Sequence, residues 1–404
     1  MPNSLKDIEI KNDPLVSDSI FNLKILIVDD TEFSLCIIKE IFISSGFKNL
    51  ILARDGQEAI EKTRLFKPDL VVLDILMPKV DGFQYCTIMR KDKDFSNLPI
   101  LVQSATNSKE FISSSFSAGA TDFINKPINP DELISRSVIH LENRVLLQEL
   151  SIYKSRVADE LEEAREMQKC ILPSDVDIDK FKNEYSLDIA SFFKPSSELG
   201  GDFWGVKELS DNKFSIYNVD FSGHGVKAAI NTFRLHALME EDDHLREQQY
   251  PNLYIERISK KLNNIITTGQ YATVFYGVVD IENNSLEYVL TGAPSPIIVS
   301  SDGETRVLPG AGIPVGAIKD ATYSSQKVSF NKGDALFTYS DALIETRNYD
   351  NNVYSEDKIS ENLKQNNSLS ADEMLFRLLE DFNKYTAFGE KISDDITTVL
   401  IRHC

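Results

Sequence analysis

Cysteine is scarce in this chain. Four are spread over 404 residues, Cys36, Cys86, Cys170 and Cys404, with no CxxC pair and no ladder of spacings. That excludes a disulfide-stapled scaffold and fits a reduced cytosol. Positive charge is also short: 43 basic side chains face 63 acidic ones, for a formal charge of -20. A surface this acidic repels phosphate backbones and anionic lipid, which excludes nucleic acid or membrane binding through a broad basic face. Long apolar runs are missing too. None approaches the roughly 18 residues that a membrane span needs. The opening MPNSLKDIEIKNDP lacks the apolar centre of a signal peptide. The chain is expected to be soluble and cytoplasmic.

What is present is ordinary globular material, 42% hydrophobic and 26% charged. At roughly 100–200 residues per domain, two or three domains are expected. Residues 1–21 are polar and expected to be a flexible N-terminus. From Leu23 the pattern alternates strand and helix. Apolar runs lie at 24–28, 50–53, 70–73, 100–103 and 122–124, with helical stretches between them. Such alternation predicts a parallel sheet covered on both faces, here a five-stranded doubly wound α/β domain over 22–142.

Glycine and internal proline are absent from about 130 to 171. Leu146, Leu150, Tyr153, Val157, Leu161, Ala164, Met167 and Ile171 fall three or four apart, one stripe of a long helix. The stripe breaks strict heptads, so no perfect coiled coil is predicted. The plainer reading packs this helix on its own domains. A helix this long between two domains has little else to bury its stripe against, so residues 143–172 are read as a linker that forms a homodimer. Pro173 ends it. Residues 173–404 are read as one α+β domain. Tyr271–Ile281 and Ser285–Leu290 flank the turn Glu282-Asn283-Asn284, a hairpin signal, and helices are expected near 226–241, 253–267 and 371–386.

Chemistry in an open parallel sheet sits beyond the carboxyl ends of its strands. Here the first strand ends in Asp29-Asp30, the third in Asp74 and the fourth in Ser104, and the fifth runs into Lys126-Pro127. Three carboxylates at one edge repel each other unless a hard divalent cation sits among them. Mg²⁺ takes such ligands and also holds a phosphoryl group. Lys126 would pair with that group as a point charge, and Ser104 would donate to it. Any one of these aspartates reads most simply as a cap or turn residue. The five in this order do not.

The set, VDD at 28–30, DILMP at 74–78, Ser104-Ala105 and NKP at 125–127, resembles the receiver domain of two-component response regulators over about 22–142. The resemblance implies that a sensor histidine kinase phosphorylates Asp74. It implies Mg²⁺ on Asp29, Asp30 and the carbonyl of Leu76, with Asp74 beside it. Ser104 and Lys126 would sense the phosphoryl group, Phe123 would be the aromatic switch, and the Lys126–Pro127 bond would be cis.

The C-terminal part shows no helix-turn-helix signal. It carries four acidic motifs: Gly200-Gly201-Asp202, VDFSGHG at 219–225, Tyr339-Ser340-Asp341, and Ser393-Asp394-Asp395-Ile396-Thr397. Several adjoin apolar β runs. Carboxylates at strand ends, with glycines that let the backbone approach an ion, point to a two-metal site. Two divalent ions would share a water, lower its pKa and aim it at phosphorus, so no serine, cysteine or histidine nucleophile is needed.

Jointly these motifs resemble the metal-dependent protein phosphatases of the PPM (type 2C) family, in the SpoIIE/RsbU-like branch, over about 164–403. The resemblance rests on AREMQKCILP at 164–173, GGDF at 200–203, VDFSGHG, GIPVG at 312–316, KGDALFTYSDALIE at 332–345 and DDITTVLIR at 394–402. It implies a β-sandwich flanked by helices. It implies that Asp220 bridges two Mn²⁺ or Mg²⁺ ions, helped by the carbonyl of Phe221, with Asp202, Asp341 and Asp394 completing the set and Asp394 placed ahead of Asp395. It implies a phosphoserine/phosphothreonine substrate, a phosphorylated STAS-type anti-sigma-factor antagonist in a partner-switching pathway. The chain departs from the family at Gly205, where an acidic residue is common, at Ala342, where glycine is, and at Ala293, where histidine is. Gly205 and Ala342 sustain a second reading, against which the four aspartates argue: a pseudo-phosphatase that acts as a phosphorylation-controlled binding module. A cyclic-nucleotide synthase or phosphodiesterase is disfavoured, since no GGDEF, GGEEF or EAL signature appears. His224 is read as a helix-start residue rather than a general acid, Trp204 as packing near the site, and Glu240–Asp243 as a solvated helix end. His140, His236, His244 and His403 are read as ordinary helix or tail residues.

Overall fold

The computed structural model describes residues 20–104, 109–223, 225–241, 245–267, 269–386 and 394–404. Residues 1–19, Ala105, His224, Asp242, Asp243, His244 and Ser393, on which several expectations fall, lie outside them. The chain divides into two compact units, Met1–Val157 and Ala158–Cys404.

In the first unit the five apolar runs become β1 (Lys24–Val28), β2 (Asn49–Ala53), β3 (Leu70–Asp74), β4 (Ile100–Ser104) and β5 (Asp122–Asn125). They form one parallel sheet in the order β2-β1-β3-β4-β5. Side chains alternate across it, so each strand feeds two cores. Ile25, Ile27, Val72 and Leu101 meet α1 (Glu32–Ser44) on one face, through Leu35, Ile38 and Phe42. Leu26, Val28, Leu73 and Val102 meet α2 (Gly56–Phe66) and α3 (Gly82–Lys91) on the other, through Ala59, Ile60, Tyr85 and Met89. Asp55 caps α2, and a reciprocal Asp81–Gln84 pair caps α3, which fixes where each helix starts. α4 (Lys109–Ala118) follows β4. Ile20 and Phe21, at the end of the polar N-terminal stretch, pack on this domain. Ile20 is buried, and Phe21 meets Phe47 edge-on at 5.1 Å.

α5 runs unbroken from Pro130 to Lys169. Its start packs on the sheet through Leu133 and Leu141. Of the predicted stripe, Leu146, Leu150, Tyr153 and Met167 are exposed, Tyr153 by 65%. The helix stops at Lys169 rather than Ile171. Cys170, Ile171 and Leu172 then donate to carbonyls three residues back, a tighter winding that closes the end before Pro173. No helix among the described residues is long and apolar enough to cross a membrane.

The second unit holds two antiparallel sheets. α6 (Asp175–Tyr185), capped by a Ser174–Asp177 box, leads into β6 (Leu187–Lys194). β7 (Phe203–Ser210) and β8 (Lys213–Phe221) follow, then α7 (Val226–Glu240), α8 (Leu245–Gln248) and α9 (Pro251–Asn263). β9 (Ala272–Asp280) and β10 (Ser285–Thr291) form the predicted hairpin. β11 (Ile297–Val299), β12 (Thr305–Val307), β13 (Gln326–Ser329) and β14 (Ala335–Tyr339) come next. α10 (Ala342–Glu345), α11 (Glu356–Gln365), α12 (Ala371–Thr386) and β15 (Ile396–His403) complete the chain. The sheet orders are β13-β10-β9-β8-β7 and β12-β11-β14-β15-β6. Ile216, Phe275 and Leu286 of one sheet share a core with Leu336, Val399 and Ile401 of the other. Outside them, Leu235, Tyr254 and Ile258 of α7 and α9 cover the first sheet, and Ile359, Met374 and Leu378 of α11 and α12 the second. The result is a β-sandwich between two helical layers.

Candidate functional site

The first unit collects its polar residues at one edge of the sheet. Asp29 and Asp30 follow β1, Asp74 ends β3, Ser104 ends β4 and Lys126 follows β5. A carboxylate oxygen from each of Asp29, Asp30 and Asp74 lies within 4.8 Å of the others, the one such group among the described residues. Lys126 Nζ donates to Asp74 Oδ2 at 2.7 Å and to Asp29 Oδ2 at 3.0 Å. Thr31 donates its N–H and hydroxyl to Asp29 Oδ1, and the Leu76 N–H reaches Asp74 Oδ1 at 3.4 Å. Burial raises the Asp74 pKa, and the Lys126 ammonium opposes that shift without cancelling it. Burial works against the charge on Lys126, but its two carboxylate partners win and raise its pKa. Ser104 is buried at the same edge, and the Lys126–Pro127 peptide is cis. Phe123 is half-buried, edge-on to Phe116 at 6.1 Å and beneath the Arg136 guanidinium. One lysine does not neutralise three carboxylates. The donor set is all oxygen and one member, Asp30, is exposed, so it fits a hard cation that keeps water.

The second unit brings together residues that are up to 192 positions apart in the chain, counting from Asp202 to Asp394. β7 pairs with β8 so that Phe203 faces Val219, which sets Asp202 beside Asp220 at the strand ends. Asp341 follows β14, and Asp394 precedes its partner β15. The two sheets are tied here by Thr397 of β15, whose hydroxyl donates to Asp202 Oδ2 at 2.7 Å. Burial, then the neighbouring Asp220 and Asp395, raise the Asp202 carboxyl well above its ordinary range. Asp220 is pushed up to about 7 by burial and Asp341, with Asp394 and Asp395 adding to it; its hydrogen bond with Asp202 pulls the other way. Asp341 rises to about 6 through burial, then Asp394 and Glu345. Carboxyls that hold protons in this way are the mark of a buried acidic group whose charge wants a cation.

Asp394 and Asp395 divide the work that sequence could only rank. Asp395 is 1% exposed and spends its carboxylate on the N–H groups of Ser196 and Gly201. Asp394 stays half-buried on the side of Asp341 and Asp220. The double glycine is required by closeness. A Cβ on Gly200 would lie 2.7 Å from Asp395 Oδ2, and one on Gly201 would lie 2.7 Å from the Phe221 carbonyl. Ala342 sits in the core at the start of α10, just after Asp341 in helical backbone, where glycine's freedom is not needed. Ala293 lines a small cavity beside Asp220 with Asn218, Thr273 and Ser340. Trp204 is buried in the inter-sheet core. His236 packs edge-on to Phe203 at 5.9 Å, and His140 Nε2 pairs with Asp122 Oδ2 at 3.1 Å.

Sequence reasoning missed three residues that hold this site: Asp395 as a loop clamp, Thr397, and Gln168 near the end of α5. Gln168 carried a signal. It lies within the segment 164–173 that resembles the phosphatases, four residues after Ala164 and beside the stripe residue Met167.

Two family models match. That for the response regulator receiver domain covers residues 25–137, and that for stage II sporulation protein E covers 210–403. Chemotaxis protein CheY of Bacillus subtilis is 37% identical over 112 residues, 28% of this chain and 91% of CheY. Phosphoserine phosphatase RsbP of the same organism is 25% identical over 197 residues, 48% of this chain and 47% of RsbP. The solved SiaA-PP2C domain of Pseudomonas aeruginosa shares the fold, with a TM-score of 0.56 at 20% identity, over 62% of this chain and 98% of that one. The chain spans about half the length of several curated relatives, RsbP among them. On these matches the chain belongs to the response regulators, with a receiver domain at its N-terminal end joined to a phosphatase-family domain of the SpoIIE type.

Proposed function

We propose that this chain is a metal-dependent serine/threonine protein phosphatase controlled by phosphorylation of Asp74. The observation that carries the reading is the second acidic group. Asp202, Asp220, Asp341 and Asp394 come from four separate segments; Asp202 is buried and the other three are half-buried, and Asp220 is raised by Asp341 and Asp394 while it raises Asp202 in turn. A structural role asks for no such convergence of like charge. Asp202, Asp220, Asp341, Asp394 and the Phe221 carbonyl would hold two Mn²⁺ or Mg²⁺ ions; these, when bound, supply an activated water and neutralise charge at phosphorus. The chain's own part is positional. Thr397 orients Asp202, and Asp395 fixes the backbone that carries it. No protein nucleophile is required.

At the receiver, Asp29, Asp30 and the Leu76 carbonyl would hold Mg²⁺ beside Asp74. The Asp74 carboxylate accepts the phosphoryl group, and Lys126, already in contact with it, supplies a positive charge for the product. A sensor histidine kinase is the donor by this reading. The substrate is a phosphorylated STAS-type anti-sigma-factor antagonist, a phosphoserine or phosphothreonine protein in a partner-switching pathway. The exposed stripe of Leu146, Leu150 and Tyr153 on α5 is the surface for a homodimer. A binding module without turnover is the second reading, sustained by Gly205, which lacks the acidic side chain common in the family.

The test is hydrolysis of p-nitrophenyl phosphate with Mn²⁺ by wild type and Asp220→Ala, each with and without beryllofluoride. Turnover that is lost in Asp220→Ala and altered by beryllofluoride supports both halves of the reading. Turnover that survives the substitution sinks the metal site, and an enzyme indifferent to beryllofluoride sinks the control by Asp74.

A further inference from the structure

The loop before Asp202 has almost no backbone partners of its own. Gly200 and Gly201 are both buried, so their N–H and C=O groups need partners from elsewhere. Gly201 finds them in Asp395, the Thr232 hydroxyl and the Phe221 N–H. Gly200 finds both of its own in one side chain. Gln168 Nε2 donates to the Gly200 carbonyl at 2.7 Å, and Gln168 Oε1 accepts from the Gly200 N–H at 3.0 Å. That is the double bond pattern a neighbouring β-strand would supply, provided here by a helix. Gln168 is 2% exposed. One turn earlier, Arg165 Nε donates to the Glu198 carbonyl at 3.0 Å. The last two turns of α5 therefore grip 198–200 at two points, and Asp202 follows after at most about 7 Å of chain.

We propose that Gln168 is a positioning residue for the phosphatase metal site: its amide fixes Gly200, and through it Asp202, to the end of α5. The inference rests on the metal-dependent reading above. The other ties on this loop, Asp395, Thr397 and Thr232, come from the sandwich and its own helix; from α5 come Arg165, on Glu198, and Gln168, which holds the residue two before Asp202. A shift of that last turn moves Gly200 and Asp202 with it.

The experiment counts Mn²⁺ bound to the full chain from the spectroscopic signal of the free ion. The difference between wild type and Asp220→Asn defines the phosphatase sites. Gln168→Met keeps length and apolar volume but neither hydrogen bond. Gln168→Glu keeps an acceptor for the Gly200 N–H and sets oxygen against the Gly200 carbonyl. Gln168→Met is expected to weaken Mn²⁺ binding at these sites about ten- to a hundredfold, the cost typical of losing the groups that orient metal ligands. Gln168→Glu falls between it and wild type, and hydrolysis recovers in both at saturating Mn²⁺. Gln168→Ala serves as a third variant if either fails to fold. Binding unchanged in the folded variants overturns the proposal, as does a loss that only tracks a lowered melting temperature. A wild type with no Mn²⁺ site sensitive to Asp220→Asn refutes the phosphatase reading itself, a separable result.

Discussion

The Tyr217 hydroxyl stands in the space that a side chain on Gly205 would need: a Cβ there would meet its oxygen at 2.2 Å and its ring carbon Cζ at 2.3 Å. The two residues face each other across β7 and β8. Tyr217 is buried and packs on Phe203 and Tyr276, so it cannot simply swing away. The absent acidic side chain is thus matched by a tyrosine that fills its place. Gly205→Ala is expected to destabilise the unit by about 1–3 kcal/mol through overpacking. Tyr217→Ala should absorb part of that loss in the double variant, so the two effects are not additive. Denaturant unfolding measures both. A Gly205→Ala protein as stable as wild type would show that the strands relax around the contact.

Asp394 and Asp395 are adjacent and chemically identical, but their substitutions should separate cleanly. Asp395→Ala strips the buried Gly201 N–H and the part-buried Ser196 N–H of their acceptor, and the loss at the buried group alone costs about 1–3 kcal/mol. Its melting temperature is expected to fall. Asp394→Asn should leave the melting temperature near that of wild type and raise the Mn²⁺ concentration needed for hydrolysis. The reverse assignment of effects would exchange the two roles.

Much of this was legible because it is local. A four-residue apolar run, Ile25–Val28, that stops at Asp29-Asp30 reads as a short strand with a polar end, and the runs at β3 to β5 repeat the logic. The same holds for the hairpin around Glu282–Asn284. What the sequence could not reveal depends on contacts between distant segments. Tyr217 and Gly205 are unremarkable singly, and only their register makes one fill the other. Asp395 turns inward while Asp394 does not, a difference of one position at the start of a strand. Gln168 stood out in no motif of its own, because a side-chain amide shows its purpose only when the backbone it pairs with is in place.

At the receiver, Lys126 is the cation that opposes burial at Asp74. Lys126→Gln removes that charge and is expected to raise the Asp74 pKa further. The ionised carboxylate is the form that attacks phosphorus. Labelling by a small phosphoryl donor, followed against pH, should therefore shift its midpoint upward in Lys126→Gln and vanish in Asp74→Asn. An unshifted midpoint would mean that Lys126 does not govern ionisation of the acceptor.

The half-buried aspartates Asp220 and Asp341 of the second unit set a stability profile with a definite sign. Without metal, burial and mutual repulsion hold the Asp220 carboxyl at about 7 and Asp341 at about 6. Both lie above the value of about 3.9 expected in the unfolded chain. The native state therefore binds these protons more tightly than the unfolded state does. That stabilisation is complete below the unfolded pKa and is lost as the pH rises through the folded values. In a chelator the melting temperature of this unit should fall between about pH 4 and about pH 8. Bound Mn²⁺ favours the ionised carboxylates instead, so saturating metal should flatten or reverse the slope. Asp220→Asn cannot titrate at that position, and it should remove much of the slope in chelator while abolishing the effect of Mn²⁺. Thermal melts across this range decide the matter: a slope that Asp220→Asn leaves intact would place the titrating group elsewhere and detach the acidic cluster from the metal chemistry proposed for it.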